Sequence, residues 1–308
     1  MSALKATLGW APSQIVNLLL SYANSRQLKS GLVQFSCKHP NWLHAVDSQL
    51  LATTNFGFSI WCDRWDIIGQ TIIARGEWES LLSRTIIASL KPGNLAVDVG
   101  ANMGYDTMLM ARAVGPTGTV IAIEPDQKNL ALLLKNLNLL EHPNVAVHSA
   151  GLGDEQVVAR IAVAGAANRG TSNLRPGAAG VTQPLLVQRL DHILNMKKLE
   201  RINFLKMDIE GFEHKAIKGM GSLLDQIDSL TCEVDPNFLQ QCGSSANELF
   251  DALLTRGFTS YCAQPNSTGM WVRSGPEFNI ESKQSHHFDA LFCRAVSNEI
   301  QTMINNHV

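Results

Sequence analysis

The sequence predicts an α/β protein: a doubly wound, mostly parallel sheet with helices on both faces and an N-terminal extension packed on it. From Glu77 onward, strand-like and helix-like stretches alternate, the pattern of parallel strands joined by crossover helices. Inside that pattern, Val97-Asp98-Val99-Gly100-Ala101-Asn102-Met103-Gly104-Tyr105-Asp106 runs from apolar residues into two glycines four positions apart, with a carboxylate on either side. That is the form of a strand ending in a tight turn whose backbone lies close to a ligand. With 308 residues, 45% hydrophobic and 17% charged, the chain can bury a sizeable core in one large domain plus an elaboration.

Residues 1–76 read as the extension. Five of the six tryptophans fall by position 78 (Trp10, Trp42, Trp61, Trp65, Trp78), and helical periodicity is confined to residues 13–22. Residues 61–68 predict a strand, a turn and a short helix. A packing segment is the plainer reading of the extension and a cap over a substrate the sharper one; its aromatic residues offer a surface for a homodimer.

The main domain spans 77–297. Residues 81–90 predict a helix stopped by Pro92-Gly93, 95–99 a strand, 105–114 a helix and 115–118 a turn. A second strand follows at 119–123. Asp126 caps a helix over 127–140, with Leu130, Leu133, Leu134 and Leu137 on one stripe. Residues 144–148 are a third strand. Between 151 and 188 the alternation lapses: one strand-like piece at 157–163 precedes a Gly/Ala/Asn/Ser-rich stretch over 165–180, long for a compact domain and so either functional or disordered. The rhythm resumes with a helix at 190–196, a strand at 202–207, a helix at 213–224, a strand at 229–234 and a helix at 246–255. Two last strands are expected at 258–262 and 290–294, and 298–308 is a tail.

A net charge of −2 supplies no global field to recruit nucleic acid or an anionic membrane, and Lys197-Lys198, the sharpest basic run, is too short for an electrostatic footprint. The apolar block at 15–20 is too short to span a bilayer. Six cysteines without a C-x-x-C pair read as free thiols in a reducing compartment, and the first ten residues lack a basic-then-apolar signal pattern, so the expected location is cytoplasmic.

In open parallel sheets a ligand sits beyond the carboxyl ends of the strands, where strand order reverses. Asp98, Glu124 and Asp208 all fall at such ends. Gly100 and Gly104 let backbone approach a ligand, and the helix that follows points its positive end there. Glu124 is placed to accept hydrogen bonds from the two hydroxyls of a ribose. A dinucleotide would want G-x-G-x-x-G, whereas Ala101-Asn102 stand where a second glycine is needed, so a pyrophosphate would be crowded. Each acid also has a plain structural reading: Asp98 as a buried carboxylate satisfied by loop amides, Glu124 as an acid at a helix N-terminus.

The run Val97 to Tyr105 resembles the first motif of S-adenosylmethionine-dependent methyltransferases of the FkbM type. Gly118-Thr119-Val120-Ile121-Ala122-Ile123-Glu124-Pro125, Arg189-Leu190-Asp191-His192-Ile193-Leu194 and Ile202-Asn203-Phe204-Leu205-Lys206-Met207-Asp208-Ile209-Glu210-Gly211-Phe212-Glu213 are similar to its later motifs, as are Gly76-Glu77-Trp78-Glu79 and, loosely, Gly170-Thr171-Ser172-Asn173. The resemblance covers roughly residues 63–240. It implies a Rossmann-like sheet of seven strands, the last antiparallel, with S-adenosyl-L-methionine as cofactor and a small-molecule acceptor. Gly100, Ala101, Asn102, Gly104 and Tyr105 would hold the methionine end, Glu124-Pro125 the ribose, and Gly151, within 149–154, would flank the adenine. Asp98 and Glu79 would enter the same pocket. Asp154 reads equally as a turn-forming acid.

The reaction implied is O-methylation of a hydroxyl on a sugar, polyketide or other secondary metabolite. Alternatives are N-methylation, NAD-dependent oxidoreduction and a non-catalytic protein that kept the cofactor fold. Methyl transfer is an in-line displacement, favoured by positioning and by a base for the acceptor proton. Asp208 and Glu210 are the catalytic candidates, Asp208 also touching cofactor; Ser172, Asn173, Glu210 and Glu233 are the acceptor candidates. The plain reading makes Asp208, Glu210 and Glu213 helix N-terminal acids. Three acids so close could hold a divalent cation, but no fourth ligand is evident and no metal is assigned. His286-His287 point to opposite faces of a strand and do not make a joint ligand pair. The small residues of 165–180 suit a loop that opens for the acceptor and closes over it, with Thr171, Ser172 and Asn173 reaching inward and Arg169 or Arg175 meeting an acidic acceptor.

Overall fold

A computed structural model describes residues 48–163, 181–194, 201–263, 270–274 and 287–305. The expected helix at 13–22, the loop at 165–180 with Arg169, Thr171, Ser172, Asn173 and Arg175, and His286 lie outside the described residues. The described chain divides between Trp78 and Glu79 into two compact units. In the first, β1 (Gln49–Thr53) and β2 (Ser59–Asp63) form an antiparallel hairpin, and Asp66 caps α1 (Ile67–Arg75) by accepting the N–H groups of Ile68 and Gly69. This is the strand, turn and helix expected over 61–68.

The second unit opens with α2 (Ser80–Ser89), β3 (Leu95–Val99), α3 (Tyr105–Val114), β4 (Thr119–Ile123), α4 (Gln127–Leu137) and β5 (Val145–His148). A side sheet then forms from β6 (Gly151–Leu152), β7 (Val157–Val163) and β8 (Val181–Gln188), in the order β6-β8-β7. Next come α5 (Leu190–Ile193), β9 (Phe204–Met207), α6 (Glu213–Met220), β10 (Ser229–Val234), α7 (Pro236–Gln241), α8 (Ala246–Leu254), β11 (Thr259–Ala263), β12 (Trp271–Arg273), β13 (Phe288–Cys293), α9 (Asn298–Gln301) and β14 (Ile304–Asn305).

The main sheet has nine strands in the order β14-β12-β11-β13-β10-β9-β3-β4-β5. From β5 to β10 all pairings are parallel, and β13 runs antiparallel to both β10 and β11. The implied seven strands with an antiparallel last one are therefore present, extended at one edge by β12 and β14. The tail region thus contributes α9 and a strand that pairs in parallel with β12. The central parallel strands are largely buried: all four positions of β9 are buried, Lys206 included, as expected where helices cover both faces. Leu205, Met207, Leu230 and Cys232 pack one face against α6 and α8 through Ile217, Met220, Leu249 and Phe250.

Several elements differ from expectation. The helix at 127–140 ends at Leu137, and its buried stripe is Leu133 with Leu130 and Leu137 alongside, whereas Leu134 is 47% exposed. Strand β8 was masked in the sequence by Pro184; β6 reaches only Val187 and Gln188, so at Pro184 the strand has an open edge that tolerates the missing N–H. The helix expected to Leu224 stops at Met220, where Gly221 (φ 57°) turns the chain into a 3-10 segment over Gly221–Gln226.

Candidate active site

Strand order reverses between β3 and β9, the position where an open parallel sheet gathers a ligand. The loop after β3 is pinned there by its own backbone. Gly100 and Ala101 both donate their N–H groups to the Ile123 carbonyl of β4, and Asn136 of α4 donates its side-chain amide to the Met103 carbonyl. Gly100 (φ 79°) and Gly104 (φ 92°) are left-handed, and a Cβ on Gly100 would fall 1.9 Å from the Asp208 carbonyl oxygen. On Gly104 it would fall 2.5 Å from Leu133 Cδ1. Glycine is therefore demanded by the approach of β9 and α4 as much as by the turn, a reason that spacing alone does not reveal.

Glu124 follows β4 and is only 4% exposed. One carboxylate oxygen accepts the Asn102 N–H at 2.7 Å and the other the Asp126 N–H at 2.8 Å. Burial outweighs these bonds and pushes the carboxyl up to about 7. Further donors would hold it ionised, and two ribose hydroxyls are such donors. Asn102, itself left-handed (φ 50°), bends the loop toward this carboxylate. A cofactor carrying an adenosine without a phosphate on its ribose fits this donor set.

Side chains alternate along a strand, so register places Asp98 of β3, Lys206 of β9, Thr231 and Glu233 of β10 and Asp289 of β13 on one face, with Asp208 continuing the row just past β9. Lys206 Nζ donates to the Gly100 carbonyl at 2.9 Å and lies 3.5 Å from Asp208 Oδ2, 3.8 Å from Asp98 Oδ1 and 4.0 Å from Asp106 Oδ2. Burial alone would discharge this ammonium; the carboxylates around it outweigh burial and raise its pKa. Asp98 is fully buried and accepts the Thr107 hydroxyl. Burial raises its pKa, against the pull of Lys206 and Thr107. Burial likewise pushes Asp106 up to about 7 and Asp289 to about 6. Asp208 first, and burial second, push Glu233 up to about 11, so Glu233 is protonated at neutral pH and hydrogen-bonded to the Asp208 carboxylate. Glu79, Lys206, Asp208, Thr231, Glu233 and Asp289 line one pocket over this face.

The turn after β9 explains the density of acids in its motif. Glu210 (φ 56°) and Gly211 (φ 102°) are consecutive left-handed residues. Glu213 is 1% exposed and accepts the N–H groups of Ile209 and Gly211 on one oxygen, both at 3.1 Å. Glu213 thus fixes the turn that presents Asp208, whose side chain keeps 38% of its surface exposed. At Gly211 a Cβ would meet the Phe238 backbone at 2.6 Å. Among the described residues, Glu79, Asn102 and Glu210 are the non-glycine positions with positive φ. Each conformation costs about 1–3 kcal/mol, and such strain gathers at functional sites.

Of the remaining candidates, Tyr105 is buried with its hydroxyl 3.2 Å from Ser83 Oγ, Pro125 follows Glu124 directly, and Gly151 pairs with Val187 in the side sheet. Asp154 stands 3.6 Å from Lys218 Nζ. His287 acts electrostatically on Asp289, which brings it toward the pocket. Four residues of the site carried no role in the sequence reading: Lys206, Asp106, Thr231 and Asp289. Lys206 was legible in principle, since it precedes Asp208 by two positions and shares its face. Asp289 was not, because only the antiparallel register sets it opposite Glu233.

The chain is similar to several known proteins. The model of the methyltransferase FkbM domain matches residues 98–260, and that of protein-L-isoaspartate(D-aspartate) O-methyltransferase matches 27–167. A Beauveria bassiana protein, Methyltransferase 1, is 26% identical over 168 residues, 48% of this chain and 67% of that one. Among solved structures, methyltransferase FkbM from Methylobacillus flagellatus KT is 15% identical, covering 91% of this chain and 58% of its own, with a TM-score of 0.43. The O-methyltransferase TomG from Streptomyces achromogenes is 12% identical, covering 71% of this chain and 82% of its own, with a TM-score of 0.42. Because the FkbM match spans more than half of the sequence and takes in Asp98, Glu124, Lys206, Asp208 and Glu233, the chain belongs to the methyltransferase FkbM family, with S-adenosylmethionine as its cofactor.

Proposed function

We propose that this chain is an O-methyltransferase acting on a hydroxyl of a small molecule, a sugar, polyketide or other secondary metabolite. The observation that carries the reading is Asp208, half-exposed past the end of β9, 3.5 Å from the Lys206 ammonium and lining the pocket at the switch point. The cofactor supplies an electrophilic methyl group. The loop over 100–104 would hold the cofactor's methionine end and Glu124 its ribose, and Lys206, near Asp98, fixes the loop carbonyl that would border it. Asp208 faces the pocket 3.5 Å from Lys206 Nζ and beside Glu233, so its carboxylate can take the acceptor proton as the oxygen attacks. Glu210 stands in the same acid group and orients the acceptor.

The test is incubation with a methyl-labelled donor and a fractionated pool of hydroxylated and amino-bearing small molecules, with the product identified by mass spectrometry. A labelled ether is expected. Label found only on nitrogen would replace this reading with N-methylation, and cofactor binding without any transfer would favour a binding protein.

A further inference from the structure

Asp208, Glu210 and Glu233 come together although 25 positions of sequence separate the first from the last. The parallel pairing of β9 with β10, Met207 opposite Cys232, sets Asp208, just past β9, beside Glu233 near the end of β10, and the left-handed turn at Glu210 swings that carboxylate back toward them. One carboxylate oxygen from each of the three lies within 4.8 Å of the other two. Oxygens bound to one ion at 2.0–2.6 Å are separated by no more than about twice that distance, so the spacing matches a shared cation. A second observation is independent of the acids. Thr231 is 2% exposed, faces the same pocket two positions before Glu233, and its hydroxyl has no hydrogen-bond partner among the described residues. A buried hydroxyl in that state lacks the bond that normally offsets desolvation, and a water bound to a cation supplies it. The charge balance points the same way, since Lys206 is the one cation among the described residues that line this pocket.

We propose that Asp208, Glu210 and Glu233 bind one hard divalent cation of the Mg²⁺ type, with Thr231 holding a water of its coordination shell. Binding releases the proton that Glu233 otherwise shares with Asp208 to solvent, and the resulting three carboxylate oxygens, with no nitrogen or sulfur donor, suit Mg²⁺, Mn²⁺ or Ca²⁺ over zinc or copper. This deepens the O-methyltransferase reading and rests on it for purpose: the ion would hold and acidify the acceptor hydroxyl, while Asp208, coordinating through one oxygen, keeps the other for the proton. The binding site itself does not depend on that reading.

The experiment is a Mn²⁺ titration of the full chain followed by electron paramagnetic resonance, without cofactor or acceptor, with calorimetry of S-adenosylhomocysteine on the same samples. The expected result is one ion per chain, displaced by Mg²⁺, lost in both Glu210→Gln and Glu233→Gln and weakened about 10-fold in Thr231→Val. Retained homocysteine binding shows that the variants are folded. No saturable site below millimolar Mn²⁺, or binding unchanged in both glutamine variants, would overturn the proposal. Either result leaves the cofactor measurement intact, so failure of the metal site and failure of the methyltransferase reading remain distinct.

Discussion

At the residue scale, the carboxylates of Asp98 and Glu124 are buried and held by Lys206 and by neighbouring N–H groups respectively. Glu124 is held by two N–H bonds and titrates near 7 because it is buried. Ribose hydroxyls bond its ionised form best, so S-adenosylhomocysteine should bind more tightly as pH rises through 7. Calorimetry between pH 6 and 8 checks this, and affinity that falls over that range would mean that Glu124 is not the ribose partner. Glu124→Ala should weaken the complex by about 1.5–3 kcal/mol, the range for a hydrogen bond to a charged group. The glycine loop and Glu124 were legible because their spacing reflects local backbone needs. The partnership of Glu233 with Asp289, or of Lys206 with Asp106, was not, because each depends on register or helix packing that no short stretch encodes.

At the scale of elements, alternation of strands and helices was readable wherever strands are buried on both faces, as at 95–99, 119–123 and 229–234. It failed for β8, which carries Pro184 within the stretch where the alternation lapses, and for β12 and β14, whose three and two residues are too short to carry a period. Helix α4 shows the limit of stripe-reading: four leucines look equivalent, but packing against Ala101 and Ala122 selects Leu133. Leu133→Ala should cost about 2–5 kcal/mol and disturb the loop at Gly104, which Leu133 touches. Leu134→Ala should stay within about 0.5 kcal/mol. Denaturant melts of the two variants decide this; equal losses would contradict the packing described.

For the whole molecule, the acid face sets a dependence of stability on pH. Burial pushes Asp106, Glu124 and Glu213 each up to about 7, against roughly 4 to 4.5 in an unfolded chain. The folded state therefore binds more protons between those values. The stability these protons supply is complete below about pH 4 and is lost as pH rises through 7. Without cofactor, the protein should melt at a lower temperature at pH 8 than at pH 5, and scanning calorimetry showing the reverse would mean that other groups dominate. No described helix is long and apolar enough to cross a membrane.

Asp208, set past β9 by a strained turn, is proposed to act on the acceptor and not on the fold. Single-turnover methyl transfer by Asp208→Asn, measured beside its affinity for S-adenosylhomocysteine, tests it most directly. Transfer should fall by about 100- to 10,000-fold, the range for loss of a general base, while affinity changes by no more than a few-fold. Full transfer in the variant, or a loss of transfer matched by an equal loss of cofactor binding, would contradict the account.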